Sequence, residues 1–341
     1  MATPEHPSTV RAAASWQRLW RAHAAMLLIW VGLICLFAAL SDRFFSAATF
    51  ANLAAQIPTL TVVAAGMTLV IITAGIDLSV GSVLGMSGAV FGVAVTVGHW
   101  PLPIAALAAV ATGGLAGYAN GWISVRLRVP SFIITLGMLE VARGLSYIST
   151  SSQTIYLAGA LSELSRPVRG VGLPLSFFIA ITVVVVLQLI LSRTVYGRHL
   201  IAVGTNEEAV RLAGIRPEGL RISVFVITGI LVGLGALFYT ARLGSADPNA
   251  GVGLELSAIA AVVIGGTSLF GGRGSVISTF IGVLIIATLD TGLAQVGASE
   301  PLKRVVTGGV IVAAAVLDGW RAGGARGTLT LLHRGWRRFS K

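Results

Sequence analysis

Cysteine, lysine and charge of either sign are all scarce in this sequence. Cys35 is the only cysteine among 341 residues, so no internal disulfide can form. The only lysines are Lys303 and Lys341. A phosphate-cradling P-loop needs a lysine directly behind its glycines. Lys303 follows Leu302, and Lys341 stands in the basic tail, so the chain carries no ATPase of its own. The glycine-rich turn Gly271-Gly272-Arg273-Gly274 lacks both the spacing and the lysine. The five histidines (His6, His23, His99, His199 and His333) show no metal-ligand spacing, and no catalytic triad is visible. An enzyme acting on a solute is therefore not expected, nor any metal or cofactor bound by this chain. Charged residues make up 11% of the sequence, against about a quarter in soluble domains.

The sequence is rich instead in apolar residues, 55% of the total, and in glycine, with 42. An α-helix crosses a bilayer's hydrocarbon core with about 17 to 25 apolar residues. Ten such runs can be placed, at about 24–40, 57–74, 80–97, 102–122, 130–148, 174–191, 222–241, 256–270, 275–290 and 304–317. The expected fold is an all-α membrane protein of about ten transmembrane helices. Residues 1–23 form a cytoplasmic N-terminal segment, 24–318 the transmembrane domain and 319–341 a basic cytoplasmic tail. The first run follows Arg18 and Arg21 without a small-residue cleavage site, so it is taken as an uncleaved first helix. Glycines placed as in Gly113-Gly114-Leu115-Ala116-Gly117, or as Gly229 with Gly233, suit close helix packing in a membrane.

A net charge of +11 would suggest nucleic acid in a soluble protein. Here 22 of the 24 basic residues (24 less two lysines) are arginines scattered between apolar runs, so the charge describes topology and no nucleic-acid partner is expected. With the N-terminus inside, 17 basic residues fall in inside segments, six outside and one, Arg143, within a span. That bias obeys the positive-inside rule and puts both termini in the cytoplasm of a bacterial inner-membrane protein.

Two passages share one pattern: Gly75-Ile76-Asp77-Leu78-Ser79 and Gly253-Leu254-Glu255-Leu256-Ser257. Downstream, Gly121 precedes Pro130 and Gly292 precedes Pro301, each by nine residues. The pattern relates helices 2–5 to helices 7–10, and this offset of five inverts one half relative to the other, a transporter plan. Chance likeness among glycine-rich apolar helices is the alternative. The helix-break and pathway candidates are Asp77, Ser79, Asn120, Thr135, Glu140, Glu255, Ser257 and Thr267. Asp77 and Glu255 are placed either to cap a new helix or to meet a passing solute. Glu140 and Arg143, three apart, are expected to pair across one turn.

The inside loop 192–221 breaks in composition from its surroundings, with Arg193, Arg198, Glu207, Glu208, Arg211, Arg216, Glu218 and Arg221. Asn206 can cap a short helix from Glu207 to Leu212, and Gly214 suits its stop. The stretch from Gly197 to Ile215 (GRHLIAVGTNEEAVRLAGI) resembles the coupling segment of ribose- and xylose-type permeases of ATP-binding-cassette importers. Gly75 to Gly81 (GIDLSVG) and Ala258 to Gly272 (AIAAVVIGGTSLFGG) resemble the same family's other signatures. The likeness spans about 45 to 318. It implies a sugar-import permease working as a homodimer, with a cytoplasmic ATPase carrying ATP and Mg and a periplasmic sugar-binding protein. It also implies ATPase coupling by Gly197, Asn206, Glu207, Glu208, Ala209, Arg211, Leu212, Ala213, Gly214 and Ile215.

Asp290-Thr291-Gly292-Leu293 departs from the Asn-Asn-Gly-Leu frequent in that family. The tail, with Trp320 and Trp336, resembles an interfacial segment on anionic lipid, a disordered tail being the other reading. The rival function is an ion-coupled secondary transporter using Asp77, Glu140 or Glu255.

Overall fold

The structure is a computed structural model that describes residues 7–313 and Val316, with side chains from Ala24 onward. The expected basic tail, 319–341, lies outside the described residues. In chain order the elements are α1 (Pro7–Leu40), α2 (Ala47–Ile72), α3 (Val80–Thr96), α4 (Leu102–Leu127), α5 (Ser131–Thr150), β1 (Ile155–Tyr156), α6 (Ser162–Ser165), α7 (Leu175–Arg193), α8 (Val195–Thr205), α9 (Glu207–Leu212), α10 (Pro217–Leu243), β2 (Ser245–Ala246), α11 (Leu254–Ile264) and α12 (Val276–Gln295). A last helix, α13, covers 300–313.

Among the described residues, each of the ten apolar runs overlaps a helix. Six of these helices, α2, α4, α5, α7, α10 and α12, are long and apolar enough to cross a membrane; Ala24–Leu40, α3 and α11 are shorter apolar helices. Local chemistry sets the ends. Ser46 accepts a hydrogen bond from Thr49 N–H to start α2, and Ser275 accepts one from Ser278 N–H to start α12. Pro217 stands at the first turn of α10, where its missing N–H costs nothing. The run expected to continue to residue 270 stops as α11 at Ile264, because Gly265 caps it and Gly266 turns left-handed at φ +79°.

α2 is apolar all round and lies at the centre, with Val62 through Ile72 wholly buried. The helices α7, α10, α11 and α12 pack around it. α4 and α5 are peripheral and leave Leu107, Leu115, Trp122, Leu136, Val141 and Leu145 exposed, as helices in a bilayer do. The two short strands join as an antiparallel ribbon, Ile155 opposite Ala246 and Tyr156 opposite Ser245.

The longest-running contact joins α4 to α10 through glycine. A Cβ on Gly113 would lie 2.2 Å from Gly229 O, one on Gly229 2.1 Å from Gly113 O, and one on Gly117 2.2 Å from Phe225 O. Gly233 meets Val110 Cα at 2.6 Å in the same sense. The two backbones touch, as the spacing of these glycines led one to expect. Gly229→Val is expected to lower the melting temperature of the detergent-solubilised protein by at least about 5 °C, an overpacking cost with no side chain free to yield. Gly137→Ala, where nothing lies within 4 Å, should leave it unchanged in the same thermal scan.

Candidate functional site

Between α2 and α3 the chain leaves helix for seven residues, Thr73 to Ser79. Its free backbone groups must find partners inside the protein. Ile76 N–H donates to Ser131 Oγ and Leu78 N–H to Thr135 Oγ1, each at 3.0 Å, so the start of α5 splints the break. Asp77 is 3% exposed. Its Oδ1 accepts from Ser79 N–H at 2.9 Å and from Ser79 Oγ at 2.6 Å. Ser79 Oγ in turn accepts from Asn120 Nδ2 at 2.9 Å. Asp77 thus closes a local turn just ahead of α3 without bonding any amide of that helix's first turn, while Asn120 Oδ1 stays buried without a partner.

The second passage of the repeat starts α11, and the two heads meet. A Cβ on Gly81 would fall 2.2 Å from Gly251 O and 2.3 Å from Glu255 Oε2. One on Gly85 would fall 3.0 Å from Ala250 O, and one on Gly92 2.8 Å from the Ala246 side chain. Residues 246–251 therefore run antiparallel along a glycine stripe on α3, and α11 departs from the level where α3 begins. Gly251 sits at φ +75°, in the left-handed region that favours glycine.

Arg143 fastens this segment. Its Nη1 donates to the carbonyl oxygens of Pro248 and Ala250, and Tyr147 Oη donates to Asn249 Oδ1. The expected Glu140–Arg143 pair is not formed among the described residues. Glu140 instead lies exposed on the outer face of α5, because Arg143 points the other way, into the carbonyls of a segment distant in sequence. Arg143 and the stripe Gly81, Gly85 and Gly92 escaped the sequence reading of sites. The signal that could have found the stripe is its helical spacing.

Of the candidates, Asp77, Ser79, Asn120 and Thr135 come together, with Glu255 close by against Gly81. Glu140, Ser257 and Thr267 do not join them. Ser257 Oγ donates back to Gly253 O at 3.3 Å. Thr267 is buried in the turn after α11, its hydroxyl without a partner.

The segment 192–221, expected as a loop around one short helix, is mostly helical. It contains the whole of α8, whose Leu200 and Val203 are buried. Gly197, a coupling candidate, is itself buried: a Cβ there would meet Leu191 O at 2.2 Å, so it serves the tight α7–α8 corner. Beside it Tyr196 bonds Ser223 at 2.6 Å, and burial pushes its phenol above the usual value despite that bond. α9 spans Glu207 to Leu212 as expected, with Ala209 N–H donating to Asn206 Oδ1 at 3.0 Å and Gly214 at φ +80°. Asn206, Glu208, Ala209, Arg211, Leu212, Ala213 and Gly214 are exposed, Glu207 and Ile215 half-buried and Val210 buried.

Two sets of contacts hold α9 and α8 in place. Arg211 bridges Glu207 at 3.2 Å and Glu218 at 2.8 Å, and Arg221 reaches Glu207 at 3.0 Å. These exposed pairs are worth at most about 1 kcal/mol each, yet together they set the angle of α9 on α10. Next to α9, Gly204 lets the end of α8 lie on Ile72 O and Gly272 N, with a would-be Cβ at 1.8 and 2.6 Å. Gly272 N–H donates to Ile72 O at 2.9 Å. The end of α2 and the turn after α11 thus meet at one point beneath α8. A cavity of about 420 Å³ lies between Glu207 and Arg211, the break at Ala74 and Ile76, and the α4–α5 turn at Arg128 to Phe132.

Residues 49–315 match the family model described as branched-chain amino acid transport system / permease component. The ribose import permease protein of Escherichia coli is 37% identical over 317 residues, 91% of this chain and 98% of that protein. The xylose transport system permease protein of Haemophilus influenzae is 33% identical, covering 86% and 95%. The fructose import permease protein of Rhizobium meliloti is 32% identical, covering 86% and 84%.

Arg143→Met is expected to free the 247–251 segment. Hydrogen bonds to a charged group contribute about 1.5 to 3 kcal/mol, so amide hydrogen exchange over 247–252 should quicken tenfold or more. Exchange in the α4–α10 contact should stay as it was.

Proposed function

The chain belongs to the family of branched-chain amino acid transport system / permease components, and from that we propose that it is the membrane-spanning subunit of an ATP-binding-cassette importer for a monosaccharide. The family description speaks of amino acids. The relatives that align over most of their length are named for ribose, xylose and fructose, which favours a pentose or related sugar as the cargo.

The observation that carries the reading is α9. A capped helix held out from the bundle with Glu208 and Leu212 exposed, the latter at 81%, offers a partner a grip. Its mounting on α8 leads directly to Ile72 and Gly272, beside the break at Thr73 to Ser79 and in the turn after α11. Movement imposed on residues 206–215 by nucleotide hydrolysis in a separate cytoplasmic ATPase would reach that break and that turn through α8. Sugar would be delivered on the other side by a periplasmic binding protein.

In the membrane, the six long helices together with α1, α3, α11 and α13 make up ten spans, with both termini cytoplasmic as the arginine bias favours. Eleven residues of α11 rise about 16 Å, half of a hydrocarbon core of about 30 Å. Such a half-span is tolerable because it is enclosed by α2, α3 and α12. The meeting of Gly81 with Gly251 supports an inverted repeat of helices 2–5 and 7–10, with the paired heads near mid-depth. Glu140 stands exposed among Leu136, Val141 and Leu145 on α5. A charge facing lipid costs about 2.5 to 3.5 kcal/mol at mid-bilayer. We therefore assign this face of α5 to a homodimer.

In proteoliposomes holding the full transporter, Glu208→Lys should leave insertion and melting temperature intact and cut ATP-driven uptake at least about tenfold, because a reversed charge meets the ATPase surface. Glu207→Lys also breaks two intramolecular ion pairs, so its loss of uptake should come with faster hydrogen exchange in α9. The double variant should abolish uptake. Uptake at the normal rate by the double variant would remove 206–215 as the docking segment, and uphill accumulation by the purified chain alone would remove the importer reading altogether.

A further inference from the structure

On the side opposite α9, a second cavity of about 220 Å³ opens where α2, α10, α11, α12 and α13 converge. Its volume equals about seven waters at roughly 30 Å³ each, less than the roughly 300 to 1,000 Å³ of a drug-sized pocket. Helices this apolar would be expected to line it with hydrocarbon. Beside apolar Ile57, Leu60, Leu254, Ile286 and Ala287, its lining brings together Gln56, Tyr239, Arg242, Ser257, Asp290 and Thr307, drawn from all five helices.

These groups are under-used by the protein itself. The one hydrogen bond to Asp290 among the described residues is a long one, 3.4 Å from Gln56 Nε2 to Oδ2. The hydroxyls of Tyr239 and Thr307 have no hydrogen-bond partner among the described residues. Arg242 lies over the Tyr239 ring at 5.6 Å, a contact that leaves its N–H groups available. A carboxylate this poorly matched at membrane depth is costly unless water or a ligand completes it.

The charges also constrain the occupant. Arg242 and Asp290 cancel, and Lys303, which also attracts Asp290, is balanced by Glu300, to which it bonds at 2.9 Å. A cation or an anion would leave one of the two poles unmatched. A neutral molecule bearing several hydroxyls satisfies both, since each hydroxyl donates to a carboxylate and accepts from a guanidinium or amide.

We propose that this cavity is a binding site for one neutral, polyhydroxylated molecule of monosaccharide size, with the Asp290 carboxylate accepting its hydroxyls and Arg242 and Gln56 donating to them. It deepens the importer reading, on which its choice of solute rests: the site receives the sugar within a single copy of the chain, on the side where it enters. Asp290, which the sequence left without a role, becomes a residue that decides which sugar is held.

Equilibrium binding of tritiated ribose, xylose, fructose and allose to the full-length chain in lipid nanodiscs tests this, alongside uptake by the reconstituted transporter. Saturable binding of at least one of the four is expected. Asp290→Ala should weaken it at least about tenfold and Thr307→Ala by a smaller factor, with melting temperatures unchanged. Should Asp290→Ala fail to fold, Thr307→Ala and Tyr239→Phe decide the matter. Binding that is absent in the wild type, or unmoved in every folded variant, overturns the site, and wild-type uptake then leaves the importer reading standing. Binding that depends on Asp290 in a chain that takes up no sugar with its ATPase and binding protein upholds the site and overturns the importer.

Discussion

Direct contact between polypeptide backbones, possible only where side chains are missing, governs how this bundle is assembled. In lipid, apolar side chains gain little by leaving their surroundings, so helices must hold one another by close approach. α4 and α10 do so through Gly113, Gly117, Gly229 and Gly233, and α11 meets α12 where a Cβ on Gly282 would lie 2.1 Å from Ala261 O. The same device reaches beyond regular helices. Gly81, Gly85 and Gly92 let a non-helical segment lie flat on α3, and Gly204 lets α8 rest on the end of α2.

Close approach also makes the breaks affordable. A non-helical stretch at membrane depth needs a partner for each N–H and C=O, and the partners here come from neighbouring helices: Ser131 and Thr135 for the first break, Arg143 for the second. The outcome is a bundle in which the 246–251 segment lies on the start of α3, just past the first break, while the end of α2, just before that break, meets the turn after α11 at Ile72 and Gly272. The cavity around Asp290 lies toward the other end of α2 from Ile72.

Much of this was legible before any coordinates. α9 could be bounded to the residue because its signals are local: Asn206 caps it, two glutamates open it, Gly214 ends it. The glycines of α4 and α10 were identifiable because spacing on a helix fixes which residues share a face. Prediction failed where a partner came from far along the chain. Glu140 was paired with Arg143 on proximity in sequence, yet Arg143 answers to Pro248 and Ala250, more than a hundred residues away. The segment 192–221 looked like a loop because its charges are dense, and only its packing against α7, α2 and the Gly271–Gly272 turn discloses the second helix, α8. The last part of the 256–270 run is apolar but not helical, since two consecutive glycines overrule hydrophobicity there.

What the residues dictated alone was therefore everything that depends on nearest neighbours and on the solvent: a series of apolar helices, a membrane as surroundings, and a short capped helix from Glu207 to Leu212. What the tertiary structure decided was which unsatisfied group meets which. The head of one repeat was set against the head of the other, Arg143 against two distant carbonyls, and Asp290 with Gln56 at a cavity of five helices. The physical reason is that a helix satisfies its own backbone within four residues, while a break, a buried charge or a cavity can be satisfied only by whatever the fold brings alongside.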